Sequence, residues 1–430
     1  MGERRAMLLR RLRELKEGER RRLLERSGAE VSRVYPRVEE IVERVRREGD
    51  RALRLYTRKF DGIEVDDLRV REEEFARALE TADPKVLDAL ERAHDNIKAF
   101  HRRQKKAGWS YRAKGVRLGQ VVRPIGRVGC YVPGGRAAYP STVLMTVTPA
   151  RVAGVKRIVC TTPPTRDGGA NAYTLAACRV AGVEEVYKVG GAQAIAAMAY
   201  GTETVPKVEK IVGPGNIYVT AAKRAVSGTV AIDNPAGPSE VLILADGTAD
   251  PGHIALDMLA QAEHDPQASS ILVTTSAPLA GKVLERIGKE KAAREEARKS
   301  LRERGAILIV SRLEEGIEFL NEYAPEHLQI MTRNPRRVLE KVENAGSVFL
   351  GRYTPVACGD YASGTNHVLP TGGAARAYSG LGVQDFLKSI SFQEASREGL
   401  EALAEIIIPL AEVEGLYAHA ESVRRRLERR

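Results

Sequence analysis

Arg157-Ile-Val-Cys-Thr161, a helical window over 170–180, Glu185-Val-Tyr-Lys-Val189 and a second helical window over 192–200 stand in direct succession. Short runs rich in β-branched residues alternate there with stretches of helical periodicity, which is the pattern of a parallel sheet built from βαβ units. Working outward, the same rhythm begins at 126–132 and 142–152. It continues through 210–212, a helix after Asn216, and 230–233. A second series follows at 241–245, 271–275, 306–310 and 347–350, again with helices between. Two series predict an α/β fold of two doubly wound, incomplete Rossmann-like parallel-sheet domains. No repeat of 20–50 residues is evident.

Beyond these series the pattern is helical. From 31 to about 106 it breaks at Pro36, Gly49, Gly62 and Pro84, with one long amphipathic helix expected over 86–105. The tail from about Asp385 also reads as helical, and Leu8, Leu12, Leu15 and Leu23 recur at near-helical spacing in the first arm. The expected organisation is an N-terminal helical arm (1–30), a first α/β domain from 31–128 plus 240–384, a second from 129–239, and a C-terminal helical arm (385–430).

A chain of 430 residues, 43% hydrophobic and 29% charged, has the size and balance of a protein with more than one sizeable core. Its net charge of +11 invites a nucleic-acid partner, but the charge is concentrated at the ends. Residues 1–27 hold ten Arg or Lys against five Glu, and residues 421–430 hold five Arg against two Glu. Aromatic residues are only 5%, too few for a base-stacking surface, so no nucleic-acid role is expected. No apolar run reaches transmembrane length and no signal-peptide pattern opens the chain, so no membrane association is expected. Cys130, Cys160, Cys178 and Cys358 are too scattered for a disulfide framework or a CxxC metal site, and a reducing cytoplasm is expected.

Ligands of open parallel sheets gather at strand carboxyl ends, which directs attention to glycine-rich strand ends. Four occur: Val132-Pro-Gly-Gly-Arg136, Val189-Gly-Gly-Ala-Gln193, Val212-Gly-Pro-Gly-Asn216 and Asn234-Pro-Ala-Gly-Pro-Ser239. None is a GxGxxG or a P-loop, and singly each is an ordinary turn. Four in one alternating region suit a nucleotide, because glycine lets backbone N–H groups approach phosphate at a helix start.

Of the seven histidines, His94 and His101 fall on a charged helix and read as surface residues. Gln261 and His264 lie three apart, on one helical face, and combine oxygen and imidazole donors suited to a borderline metal. Pro325 stands where a helix would start, with Glu326 and His327 behind it. An adjacent carboxylate and imidazole can divide base work, one activating water and the other taking an alcohol proton. Gly359-Asp-Tyr-Ala-Ser-Gly-Thr-Asn-His367 is a loop bearing another carboxylate and imidazole, while the Glu414 to His419 spacing is uninformative by periodicity.

In order and spacing these segments resemble the histidinol dehydrogenase family, over about residues 30–421. Its most specific pieces here are Gly129-Cys-Tyr-Val-Pro-Gly-Gly-Arg136, Gly213-Pro-Gly-Asn216, Pro235-Ala-Gly-Pro-Ser-Glu240, Ala262-Glu-His-Asp265, Pro325-Glu-His327 and the Gly359–His367 loop, with the Glu414/His419 pair. The resemblance implies one Zn2+ per subunit on Gln261, His264, Asp360 and His419, although residue chemistry alone would favour Glu263 over Gln261. It implies Glu326 and His327 as the acid–base pair. Substrate contacts would come from Ser239, Gln261, His264, His327, Asp360, Glu414 and His419, with His367 nearby. Tyr131, Gln193 and Asn216 would touch NAD. The metal and substrate then belong to the domain holding 240–384 and NAD to 129–239.

The family is a homodimer in which Glu414 and His419 complete the partner's site, which gives the amphipathic arms a role. The reaction implied is oxidation of L-histidinol through L-histidinaldehyde to L-histidine with two NAD reduced, the last step of histidine biosynthesis. Zinc would anchor the substrate's imidazole and amine. A related zinc- and NAD-dependent dehydrogenase of another small alcohol, such as a sulfonated diol, is the nearest alternative.

Overall fold

The computed structural model describes residues 7–26, 28–134, 138–234, 237–290 and 294–428. Gly135 and Arg136 of the first glycine-rich turn, Pro235 and Ala236 ahead of Ser239, and the two ends of the arms (1–6 and 429–430) lie outside the described residues. In chain order the strands are β1 (Leu8–Arg11), β2 (Trp109–Ala113), β3 (Val116–Pro124), β4 (Arg127–Tyr131), β5 (Arg157–Thr162), β6 (Glu185–Lys188), β7 (Lys210–Val212), β8 (Ala231–Ile232), β9 (Glu240–Ala245), β10 (Ser269–Thr274), β11 (Ala306–Ile309), β12 (His327–Met331), β13 (Ser347–Leu350) and β14 (Leu387–Ala395).

They form two parallel sheets, as the alternation predicts. One has the order β6-β5-β4-β7-β8 and the other β1-β11-β10-β9-β12-β13. Parallel strands covered by helices on both faces read as continuous apolar runs, and every residue of β9 is buried. A third, antiparallel sheet, β14-β3-β2, is not foreseen by the sequence reading. Its strand β2 is exposed throughout, so no burial imposes an apolar pattern on it.

Helices Gly28–Glu48 and Asp50–Asp61 cover one face of the five-stranded sheet, through Val38, Ile41, Val45 and Leu53. Glu72–Thr81 and Pro84–Arg102 reach its other face through Phe75, Leu90 and Ile97. The stretch 31–128, which the sequence reading groups with 240–384, packs into cores that hold residues of 129–239 and also Val368, Leu381 and Val383. Periodicity shows that a helix has an apolar face but not which sheet will cover it.

Several local expectations change. Pro36 lies inside the helix Gly28–Glu48 instead of breaking it, on the exposed side where water can satisfy the freed carbonyl. His101 is fully buried, its Nδ1 2.8 Å from the Ile97 carbonyl. Both arms are helical, as expected, but each carries a strand first. Leu8–Arg11 pairs in parallel with β11 ahead of the helix Glu17–Leu24, and β14 precedes the helices Arg397–Val413 and Tyr417–Leu427.

The two parallel sheets are joined by residues 233–239, between β8 and β9. The chain thus passes from the carboxyl end of β8 in one sheet to the amino end of β9 in the other. On the carboxyl edge lie helix starts, at Gly191–Tyr200 and Ile217–Val226. On the amino edge lie helix ends, because Pro251–Ala262 runs back from β9 to the beginning of β10. One side of the junction therefore presents positive helix termini and the other negative ones.

Candidate active site

The amino edge carries the residues with chemistry. Glu326 precedes β12 and His327 opens it, so Pro325-Glu-His leads into a strand and not a helix. Strand β12 escapes a periodicity reading because His327 and Gln329 interrupt its apolar run, although both are buried. Gln261 occupies the last turn of Pro251–Ala262, and His264 stands just beyond that helix.

A continuous chain of polar contacts links the predicted residues. Gln261 Nε2 donates to Ser239 Oγ at 2.7 Å, and Ser239 Oγ donates to Glu326 Oε2 at 2.6 Å. The same carboxylate oxygen accepts the Glu240 N–H at 2.8 Å and lies 3.5 Å from His327 Nδ1. His327 Nε2 is 3.6 Å from Asp360 Oδ1, and Asp360 Oδ2 is 3.9 Å from His264 Nε2. His367 Nδ1 meets the Asp360 carbonyl at 2.9 Å.

Electrostatics follow from this crowding. Burial disfavours the charged imidazolium of His327, but the Glu326 and Asp360 carboxylates prevail and hold it well above the usual histidine range. Burial pushes the Asp360 carboxyl up, and His327 beside it more than reverses that, leaving it below the usual range. His367 faces burial without sufficient compensation and lies low.

Among the described residues no group of three His, Cys, Asp or Glu is placed to hold a metal. The donor set is nonetheless suited to one. Gln261 Oε1 is buried with no hydrogen-bond partner among the described residues, and an amide oxygen together with imidazole and carboxylate donors matches a borderline cation. Glu263, the alternative favoured by residue chemistry alone, is exposed. Glu414 and His419 are exposed on the C-terminal arm, and no contact joins them to this chain of residues among the described ones.

Across the junction, Tyr131 ends β4 and its hydroxyl accepts the Gly191 N–H at 3.1 Å. Burial pushes that phenol up to about 12. Gln193 is buried in the first turn of Gly191–Tyr200, its Oε1 without a partner among the described residues. Asn216 caps Ile217–Val226, accepting from Tyr218 N and Val219 N, and is exposed. Gly213 has φ +118°, and a Cβ there would lie 2.2 Å from the Tyr131 carbonyl oxygen, so only glycine fits the turn. The turn is clamped by a buried Lys223–Asp233 pair: Gly213 N donates to Asp233 Oδ2 at 2.8 Å and its carbonyl accepts Lys223 Nζ at 3.1 Å.

Glu240 is the functional neighbour that sequence reasoning misses. A charged residue heading the apolar run Val241-Leu-Ile-Leu-Ala245 is the one local signal that it must be paired inside the protein.

Two parallel sheets meeting edge to edge, with helix starts suited to a dinucleotide on one side and a buried Glu–His pair on the other, define a dehydrogenase of the α/β class. Comparison narrows this. The histidinol dehydrogenase family model matches residues 24–427. A histidinol dehydrogenase of Methanocaldococcus jannaschii is 54% identical over 426 residues, covering 98% of this chain and 99% of that one. Another, from Methanothermobacter thermautotrophicus, is 55% identical over 409 residues, 94% of this chain and 96% of the relative. The crystal structure of histidinol dehydrogenase from Elizabethkingia anophelis superposes with a TM-score of 0.92 at 39% identity, covering 98% of both chains. The chain belongs to the histidinol dehydrogenase family.

Proposed function

We propose that this chain oxidises L-histidinol to L-histidine through L-histidinaldehyde in two NAD-linked steps, the last reaction of histidine biosynthesis, in the cytoplasm. Identity above 50% to family members along nearly the whole chain supports the substrate over another small alcohol.

The observation that carries the chemistry is the hydrogen bond of His327 Nδ1 to the Glu240 carbonyl at 3.0 Å. A carbonyl only accepts, so Nδ1 keeps its proton, and Nε2, which is buried and has no hydrogen-bond partner among the described residues, is the atom at which the ring takes up and releases the other. His327 would take the hydroxyl proton of the alcohol there. Glu326 commits Oε2 to Ser239 and Glu240, which leaves Oε1 to draw a proton from the water that hydrates the aldehyde. Holding the aldehyde between buried residues protects a reactive intermediate.

Gln261, His264 and Asp360 would hold zinc with the partner subunit's His419, and Ser239 and Glu414 would meet the substrate. Tyr131, Gln193 and Asn216 would line the NAD site. When bound, NAD takes the hydride of each oxidation, and zinc gives the substrate's imidazole and amine a fixed anchor. The C-terminal arm bears Ile406, Leu410, Val413 and Tyr417, each more than half exposed, a surface suited to a second copy.

The test is NADH formed per L-histidinol consumed, before and after chelation and with zinc restored. Two NADH, lost with chelator and recovered with zinc, is the expected result. One would remove the hydration role of Glu326, and none would remove histidinol as the substrate.

A further inference from the structure

The N-terminal arm reaches the site from behind. Arg26 forks onto Glu240: its Nη2 is 2.7 Å from Oε1, and its Nε bonds Oε2. The same Nη2 donates to the Tyr323 carbonyl at 2.8 Å, and the guanidinium lies 3.5 Å over the Tyr323 ring. The two charged side chains are only 7% and 2% exposed.

Glu240 in turn touches the Glu326–His327 pair in three ways. Its N–H holds Glu326 Oε2, its carbonyl holds His327 Nδ1, and its own Oε1 accepts the Glu326 N–H at 3.3 Å. The carboxylate also takes the Gly372 N–H at 3.1 Å and the Tyr323 hydroxyl at 3.3 Å. A buried carboxylate gathering this many donors is held in place while a cation balances it. Deprived of that cation, it is an unpaired buried charge that must rearrange, and the rearrangement moves the atoms that orient the pair.

We infer that Arg26 is a positioning residue for Glu326 and His327, acting through Glu240, so that the N-terminal arm is part of the working site. The inference rests on the roles proposed above for that pair. A strap that merely fastened the arm would need nothing buried, and the arm already has such a strap in Arg20–Glu322, with both side chains about two-fifths exposed. Arg26 and Glu240 also line a cavity of about 830 Å3 together with Arg22, Lys299 and Arg302, which gives a small cation a route to the position Arg26 would vacate.

The experiment compares Arg26→Ala, Arg26→Lys, Glu240→Gln and Arg20→Ala in the full-length, zinc-loaded enzyme, reading kcat, both KM values, zinc content and melting temperature. Arg26→Ala is expected to lose roughly 10- to 100-fold in kcat, the scale of a small misplacement of catalytic groups, with the KM for NAD and the zinc content little changed. Added guanidinium should restore part of that loss. Lysine should restore less than arginine, because a point charge cannot fork onto a carboxylate. Arg20→Ala should keep full kcat.

The inference is overturned if Arg26→Ala keeps kcat within about twofold, or if its loss is matched by Arg20→Ala and ignores guanidinium. Should Arg26→Ala not fold, the isosteric Glu240→Gln decides: a fall in kcat at unchanged melting temperature supports the inference, and full kcat ends it. Glu326→Gln is run alongside. If that variant still makes two NADH per histidinol, the reading of the pair has failed, independently of the arm.

Discussion

Ser239 gives its hydroxyl hydrogen to Glu326 Oε2 at 2.6 Å, and its oxygen receives Gln261 Nε2 at 2.7 Å. One hydroxyl thereby fixes the carboxylate proposed to activate water and the amide whose other atom, Oε1, is proposed to face the metal. Because the serine proton is spent on Glu326, the amide must present nitrogen to Ser239, and its oxygen must face away.

Ser239→Ala should therefore damage two properties at once. Losing an orienting hydrogen bond behind a ligand typically weakens metal retention about 10- to 100-fold, and a comparable fall in kcat is expected. Zinc per subunit against a graded chelator, beside kcat, reads both. A variant that keeps its zinc and its rate would show that the bridge orients neither group.

Complementation tests the proposed sharing of sites between subunits. His419→Ala and Glu326→Gln should each be nearly inactive alone. Mixed and re-associated, they should recover about a quarter of wild-type activity, since half of randomly formed dimers pair the two variants and each such dimer has one intact site. No recovery from demonstrably mixed dimers would place His419 outside the partner's site.

The Gly213 turn supplies a stability prediction. Alanine there must adopt φ +118° with its Cβ 2.2 Å from the Tyr131 oxygen, so the backbone of two strand ends has to move. Gly213→Ala should cost roughly 2–4 kcal/mol in urea unfolding and raise the KM for NAD. An unchanged midpoint would mean that the turn is softer than its geometry indicates.

Alkaline stability follows from Tyr131. Its phenol moves from the usual 10.0 to about 12 on burial. An acid whose folded-state pKa is raised contributes stability below the unfolded value and loses it between the two, because only the unfolded chain ionises there. Melting temperature should decline from pH 10 toward pH 12, and Tyr131→Phe should make the decline shallower, by an amount on the order of 2 kcal/mol. Equal slopes for the two proteins would contradict the burial argument.

Much of this was legible in the sequence, for identifiable reasons. Strands β9 and β5 are buried on both faces and so declare themselves as apolar runs. Glu326, His327 and Asp360 stand in short motifs whose order resembles a known family, and the structure brings them together with Ser239, Gln261 and His264. Strands β2, β3 and β14 were not legible, since a partly solvated antiparallel sheet tolerates the charges that helices also carry. Glu240 and Arg26 were invisible as a pair because 214 residues separate them and no local pattern announces such a contact. The sequence reading looks to strand carboxyl ends for ligands. The glycine turns do lie there, yet Glu326 and His327 lie at the amino end of β12, on the other sheet.

Strand β1 has a consequence for the order in which the molecule is made. Leu8–Arg11 is translated about 300 residues ahead of its partner β11. Arg26 likewise waits for Glu240. Pairings this remote form late, since the loop between them must close before any contact compensates its entropy. The nascent chain thus carries an unmatched strand until β11 has been made. The segment around it is dense in arginine, and like charges oppose the pairing of two such unmatched strands. A truncated or stalled product would lack the partner strand, and incomplete chains would remain without a finished catalytic centre.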